Sequence, residues 1–457
     1  MGMSLFSLLP SSVRAHVQNE DGLNRIAGNI AWLALDYALR LGVSFFVLVW
    51  LARHLGPSHF GIYSYALALV TLLSAIATLG LNNIVIRDIV KTPEHKEKIL
   101  GSACILKLAA GILTILLALG IVHIAKHGEN NTVLRGVVAI ISVGFIFRSL
   151  DVIDFWFQSQ VLSKCTVIAR TSAGLILNTA RVVFILRGAP LICFAWLALM
   201  EIAAEATALA VAYTATGGRI TRWRVGRGTA RQLFADSWPL ALSGLAVAVY
   251  MRIDQIMIGQ FLGDAHVGVY SASIRLAALW YFIPNAIVPS VFPAIVRARQ
   301  MSERVYFARL QVLYDLLCLT SITVAIVVTL ARRPVVMLLY GSEYIEAAGV
   351  LPIHMWAGVF VGLGVASQRF LLTENLAKVA SARTSIGCLT NVVLNLLLIP
   401  RMGIRGAAIA TVASQSVAAF SIVVHRAGRT QALVMLKSLC LIGIFSYVKE
   451  RIAASRT

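Results

Sequence analysis

Twelve stretches of about 20 mostly apolar residues dominate this 457-residue chain. They lie near 29–51, 63–86, 99–124, 136–157, 166–186, 191–214, 238–261, 269–296, 310–330, 347–372, 380–399 and 404–425. A helix rises ~1.5 Å per residue, so each is long enough to cross a hydrocarbon core of ~30 Å. Lipid offers the backbone no hydrogen-bond partner, and runs of this length satisfy it internally as helices. Composition agrees, with 59% hydrophobic and 13% charged residues and a mean hydropathy of +0.82. An ordinary soluble domain carries about 25% charged residues. The expected fold is all-α and integral to a membrane.

The loops are short. The longest, "TGGRITRWRVGRGTARQLFADS" at 216–237, leaves no room for a sizeable soluble domain. A weaker apolar run at 432–448 contains Lys437 and reads as an interfacial C-terminal helix or a thirteenth span. The expected organisation is a cytoplasmic segment 1–28, a six-helix bundle 29–215, a basic linker 216–237, a second six-helix bundle 238–425 and a basic C-terminal segment 426–457. The start of the chain has a short apolar patch with no basic residue ahead of it, so a cleaved signal peptide is not expected.

A formal charge of +20 suggests nucleic acid only if it gathers on one soluble face. Here it follows the loops. With the N-terminus inside, the cytoplasmic segments hold 23 Lys and Arg and the opposite loops 8. That is the bias membrane insertion imposes, and it puts both termini on the cytoplasmic side of a multi-pass cell (inner) membrane protein, with anionic lipid as the partner of the basic linker. Nucleic acid is not an expected partner. The six cysteines lack zinc or disulfide spacing, and no phosphate-binding G-x-x-x-x-G-K-[ST] loop or H-E-x-x-H site occurs, so neither cofactor nor metal is expected.

Two segments repeat. "LGPSHFGIYS" at 55–64 and "LGDAHVGVYS" at 262–271 share Leu, Gly, His, Gly, Tyr and Ser at an offset of 207 residues, each joining the first to the second span of a six-span half. An even number of spans gives both halves the same orientation. The spacing therefore predicts parallel repeats related by an axis along the membrane normal, with a path between them.

At these residues the sequence resembles the polysaccharide-exporter branch of the MOP superfamily, the flippases of O-antigen and related lipid-linked oligosaccharides. The resemblance rests on "ARHLGPSHFGIYSYALALV", "RIDQIMIGQFLGDAHVGVYSASIRL" and "IPRMGIRGAAIATVASQ". It implies two six-helix bundles, alternating access and passage of a polyprenyl-diphosphate-linked glycan to the outer leaflet for polysaccharide biosynthesis. A polysaccharide polymerase is an implied partner.

Charges within spans are the candidate functional residues, because each costs at least ~2.5–3.5 kcal/mol at the bilayer centre unless paired or wetted. The central cations are Arg40, Arg148, Arg181 and Arg252. Guanidinium suits a diphosphate, being planar, permanently charged and multidentate. Lys107, Arg170, Arg275, Arg369 and Arg383 lie nearer helix ends, where snorkelling accounts for them. Arg252 and Asp254 sit ~200° apart on a helix and cannot pair, so Arg252 faces either a phosphate or another span, and Asp254 shapes the site or is purely structural. Asp36 and Arg40 share a face at i, i+4; Arg148 and Asp151 pair at i, i+3, with Asp154 beyond. Arg181 has no acidic neighbour at three or four residues and is the candidate for an external anion.

Glu201 and Glu205 are like charges four apart, which fits either a proton or sodium coupling site or two pairs to arginines of other spans. Asp315 is the further coupling candidate. Pro284, Pro289 and Pro293 predict a bent eighth helix, either a gate or a static kink, and Gly358 and Gly362 form a small face for close helix contact. Two other activities fit a chain of this kind: cation-coupled drug antiport, which wants an acidic and aromatic cavity, and glycan polymerisation or ligation, which wants a large outer loop.

Overall fold

The computed structural model describes residues 20–124 and 131–440, with side chains from residue 42 onward apart from a few positions. Its helices are α1 Glu20–Thr78, α2 Leu81–Lys91, α3 Lys96–Ile124, α4 Asn131–Ser142, α5 Gly144–Phe147, α6 Val152–Ser159, α7 Ser163–Leu186 and α8 Leu191–Ala215. They continue with α9 Arg227–Leu262, α10 Asp264–Met301, α11 Glu303–Leu330, α12 Arg332–Tyr340, α13 Ala347–Thr373, α14 Ala377–Met402, α15 Ile404–Phe420 and α16 Arg426–Leu439. Among the described residues no strand occurs, and eleven stretches are long and apolar enough to cross a membrane. The first, Gly42–Lys91, takes in the end of the first expected span and the whole of the second, which accounts for eleven against the expected twelve. This is a multi-pass, all-α membrane protein.

The described residues before Val49 form one unit, within which the rings of Phe45 and Phe46 meet edge to face at 5.4 Å. The described residues from Val49 onward form the other. Inside this second unit lie two separate apolar cores. One draws on α2, α3, α6 and α8 through Leu81, Val85, Leu100, Phe157 and Tyr213. The other draws on α10, α11, α13 and α16 through Val288, Leu310, Leu363 and Met435. Helix α16 docks along α11, with Gln311 donating to Ser438 at 2.6 Å and Gln431 to Tyr314 at 2.5 Å. The remainder of the apolar run at 441–448 lies outside the described residues.

The basic linker is shorter than its sequence suggests. Helix α9 begins at Arg227, and the preceding turn is tied to α3 by Arg224 N–H donating to the Glu97 carbonyl at 3.2 Å and Gly226 N–H to Ser102 Oγ at 3.0 Å. Helix α10 runs unbroken from Asp264 to Met301 through Pro284, Pro289 and Pro293. Gly358 and Gly362 of α13 let Trp280 and Pro284 of α10 approach closely.

The repeated segments meet. Gly56 (φ 70°, ψ 171°) and Gly263 (φ 87°, ψ 178°), 207 residues apart, interrupt their helices in the same left-handed conformation that side chains disfavour. Five residues on, Gly61 and Gly268 touch. A Cβ on Gly61 would collide with the Asp264 carbonyl oxygen, and one on Gly268 with the Pro57 carbonyl oxygen. The two copies thus face each other backbone to backbone, as a pseudo-two-fold axis through this contact requires. Around it Gln260 donates to Tyr65 Oη at 3.1 Å, and Tyr344 donates to the Ala52 carbonyl at 2.8 Å. A second junction joins α2 to α9, where Arg87 bridges Asp236 at 2.7 Å and the backbone of Gly80 abuts Leu240 and Ala241.

Gly61→Ala and Gly268→Ala should each destabilise the purified protein by about 1–3 kcal/mol, since the carbonyl facing them cannot move as a side chain can. Gly244→Ala, with open space around it, is the control. Thermal midpoints in detergent test this, and equal midpoints for all three variants would mean that the backbone contact is not a tight one.

Candidate functional site

Cations from both halves converge beside the repeat junction. Arg181 on α7 donates through Nη2 to Glu201 Oε2 on α8 at 2.5 Å and through Nη1 to Asn178 at 3.0 Å. Tyr63, on the segment of α1 after Gly56, is fully buried within electrostatic reach of Arg181, Arg275 and Glu201. Arg275 on α10 stacks over Phe60 at 5.1 Å and is in turn within reach of Tyr340, Tyr344 and Arg252. Burial pushes the Tyr340 hydroxyl up to about 12 and raises that of Tyr344, so both remain neutral donors.

Three guanidinium groups therefore lie in a chain, with Arg181 paired to Glu201, Arg275 linked to that pair through Tyr63, and Arg252 within electrostatic reach of Arg275. Among the described residues Glu201 is the single acid paired with any of them, and neither Arg252 nor Arg275 has an ion pair. Arg181, the candidate for an external anion because no acid lies three or four residues away, has its acidic partner on another helix, which spacing along one helix does not reveal. Glu201 takes the arginine-paired alternative. Arg275, expected to snorkel at a helix end, lies instead at the junction of the halves.

A second polar cluster lies among α9, α10, α14 and α15. The Asp254 carboxylate, 7% exposed, accepts from Asn395 at 2.6 Å, Thr411 at 2.7 Å and Tyr270 at 2.9 Å. Asn395 also donates to Asn391 at 3.1 Å, and its own Oδ1 is buried with no partner. No cation among the described residues pairs with Asp254. Three neutral donors hold a carboxylate whose charge no cation among the described residues offsets, a cost that a bound proton would relieve.

The other expected residues separate from these clusters. Lys107, 2% exposed, pairs with Asp151 at 3.2 Å and lies 5.0 Å over the Phe155 ring. This displaces the expected Arg148–Asp151 pair. Residues 148–151 form a tight 3₁₀ turn, and Arg148 is exposed with no ion pair among the described residues. Arg170 pairs with Asp154 at 3.0 Å. Glu205 has no direct ion pair among the described residues and lies within reach of Arg170 and Arg148. Asp315 accepts from Gln311 at 2.8 Å. Arg383, also expected to snorkel, is buried and donates to Gln368 at 2.9 Å. The side chains of Asp36 and Arg40 lie outside the described residues.

Sequence reasoning missed Tyr63, Tyr270, Asn391, Asn395 and Thr411. One signal existed: Tyr63 and Tyr270 are the same position of the repeat, one turned toward Arg181 and the other toward Asp254.

Residues 26–299, more than half of the chain, match the family described as polysaccharide biosynthesis protein. The chain belongs to that family. It is 23% identical over 409 residues to a protein of Shigella flexneri named as an O-antigen transporter, covering 84% of this chain and 93% of that one. It is 28% identical over 196 residues to a protein of Haloferax volcanii named as a low-salt glycan biosynthesis flippase, Agl15. That match covers 41% of this chain, and the chain spans only about 40% of that relative's length. The fold of this family member is shared with a lipid II flippase, MurJ, in its inward closed conformation, at a TM-score of 0.74 and 13% identity, covering 91% and 93% of the two chains. It is shared as well with a multidrug resistance MATE transporter of the MOP superfamily, at a TM-score of 0.65 and 15% identity, covering 87% and 96%.

Arg181→Met should cost about 3 kcal/mol, the low end for a broken buried pair because the Glu201 side chain is 27% exposed. Adding Glu201→Leu should restore most of the loss. Thermal unfolding of the two single variants and the double variant decides it; a double variant that loses the sum of both single effects would contradict the pairing.

Proposed function

We propose that this protein is a flippase that moves a polyprenyl-diphosphate-linked oligosaccharide from the cytoplasmic to the outer leaflet of the cell membrane, for polysaccharide biosynthesis. The observation that carries this reading is the chain of Arg181, Arg275 and Arg252 drawn from both halves, in which Glu201 on Arg181 is the single paired acid among the described residues. A diphosphate supplies the missing negative charge, and its oxygen atoms match the donor forks of Arg252 and Arg275. The polyprenyl tail stays in lipid. The exposed Arg148 is a further cation for the path. The names of the Shigella and Haloferax relatives point the same way.

Two six-helix bundles, 29–215 and 238–425, rock about the Gly61–Gly268 contact, and α10 with its three prolines is the candidate gate. Both termini lie in the cytoplasm, as the basic loops favour. The flipped unit then serves a polymerase acting at the outer leaflet. Drug antiport, the activity in the name of the MATE neighbour, fits poorly because a guanidinium-lined junction repels organic cations. Coupling to a proton or sodium gradient belongs at Asp254, in preference to Glu201 or Asp315, because it is buried, has no cation pair among the described residues and is gripped by donors from three other helices.

Outward translocation of a lipid-linked repeat unit, in cells lacking their own flippase, tests the reading. At matched membrane expression Arg252→Ala should lose about tenfold or more, the worth of one charge-assisted hydrogen bond, and Arg252→Lys should retain part of the activity. Full activity in Arg252→Ala would make the residue structural. A wild type inactive on several glycans would reopen antiport and polymerisation. Asp254→Asn should abolish any dependence of the rate on pH or sodium while keeping the fold; an unchanged dependence would remove Asp254 from coupling.

A further inference from the structure

A cavity of about 420 Å³ opens among α9, α13 and α14, in the half that carries Arg252. Its size falls within the ~300–1,000 Å³ of small-molecule sites. The polar part of its wall is Ser243, Gln368, Ser381, Thr384 and Ser385, while Leu242, Val247 and Leu372 supply an apolar side. No charged and no aromatic side chain lines it. Ser381, Thr384 and Ser385 stand at i, i+3 and i+4 and so share one face of α14. That face belongs to the stretch Ala377–Met402, apolar enough to span the membrane, yet Ser381 and Ser385 are exposed. The hydroxyl stripe lies near the N-terminal end of that stretch and faces the cavity.

The donors and acceptors are prearranged. Thr384 donates its hydroxyl to the Ala380 carbonyl at 3.1 Å and Ser243 to the Pro239 carbonyl at 3.2 Å, which leaves their oxygen lone pairs free to accept. Arg383, behind the wall and 8% exposed, donates to Gln368 Oε1 at 2.9 Å and to the Gly364 carbonyl at 3.2 Å. The Gln368 amide is thereby held with its NH₂ free to donate. Arg383 Nη1 is buried with no partner. The wall thus offers acceptors, one donor and an apolar face, with neither the cation a phosphate requires nor the acid an organic cation requires.

We infer that this cavity receives the neutral sugar rings of the lipid-linked oligosaccharide, with Arg383 as the positioning residue for Gln368. Ser243 and Val247 precede Arg252 on α9 by nine and five residues, about 8–14 Å along the axis. A diphosphate at Arg252 would leave the following sugars within reach of the hydroxyl wall. This rests on the flippase reading and adds to it a site that reads the glycan apart from the phosphate.

The test uses the full chain in nanodiscs and the triple variant Ser381→Ala, Thr384→Val, Ser385→Ala, which removes three hydroxyls at nearly constant volume. The two probes are a polyprenyl diphosphate bearing one N-acetylhexosamine and the same lipid bearing a tetrasaccharide. The variant should bind the tetrasaccharide lipid about tenfold more weakly, with the single-sugar lipid changed by about twofold or less. Equal loss for both probes, or no loss for either, overturns the inference. A wild type that binds neither overturns the flippase reading itself. Should the triple variant fail to fold, Ser385→Cys in a cysteine-free background with wild-type melting replaces it. This cysteine should react with a membrane-impermeant thiosulfonate and be protected by the tetrasaccharide lipid more than by the single-sugar lipid. An unreactive cysteine, or equal protection by both lipids, is equally fatal.

Discussion

The constraint on which everything else depends is the cost of holding a full charge inside hydrocarbon. It explains why so many charged side chains within the spans meet a partner from a different helix: Lys107 with Asp151, Arg170 with Asp154, Arg181 with Glu201, and Arg383 with Gln368 and a backbone carbonyl. These pairs add little net stability compared with apolar residues of the same volume, because desolvation offsets most of the attraction. Their effect is register, since any one of them broken leaves a stranded charge. Against that background Arg252 and Arg275 stand out, since neither has an ion pair among the described residues and they lie within electrostatic reach of each other.

The glycine contact supplies the complementary constraint. Two copies of one unit can share an axis only where something small enough lies on it, and Gly61 and Gly268 let the backbone of one copy rest on that of the other. The neighbouring tyrosines show how the copies have diverged. Tyr63 turns to a guanidinium and Tyr270 to a carboxylate, so one repeat position serves the basic cluster in one half and the acidic pocket in the other. On the flippase reading, retained geometry with exchanged charge partners lets a two-fold scaffold hold a single asymmetric substrate.

The fold was largely legible in the sequence. Span length and the 207-residue repeat are one-dimensional signals, and the helices follow them to within a few residues in most cases. The main departures are α9, which begins at Arg227 because its first turns pack on α2 and α3, and the fusion of the first two spans around Gly56. The site was legible only in part. Residue type marked Arg252 and Asp254 as needing partners, but spacing along one helix could not assign them. For the same reason the i, i+3 pairing of Arg148 with Asp151 gave way to Lys107, and Arg181 acquired Glu201 from the next helix. Arg275 and Arg383 were misjudged because distance from a helix end says nothing about what covers that end. Asn391, Asn395 and Thr411 carried no signal at all, being neutral polar residues in apolar runs.

On the flippase reading, the separation of the arginine junction from the hydroxyl-lined cavity has an energetic reason. A carrier has to hold its substrate firmly enough to desolvate it and loosely enough to let it go. Guanidinium contacts to a diphosphate are strong and, in a site shielded from water, grow stronger. Were the sugars gripped as strongly, the complex would sit in a well too deep to leave. Neutral hydroxyl and amide contacts contribute only about 0.5–1.5 kcal/mol each, enough to orient the glycan and exclude a bare lipid phosphate, while water competes for them as soon as the halves part. Placing the charge at the moving junction and the weak contacts within one half also means that rocking alters the phosphate site first. Release then begins at the group that binds most tightly, and the sugars follow.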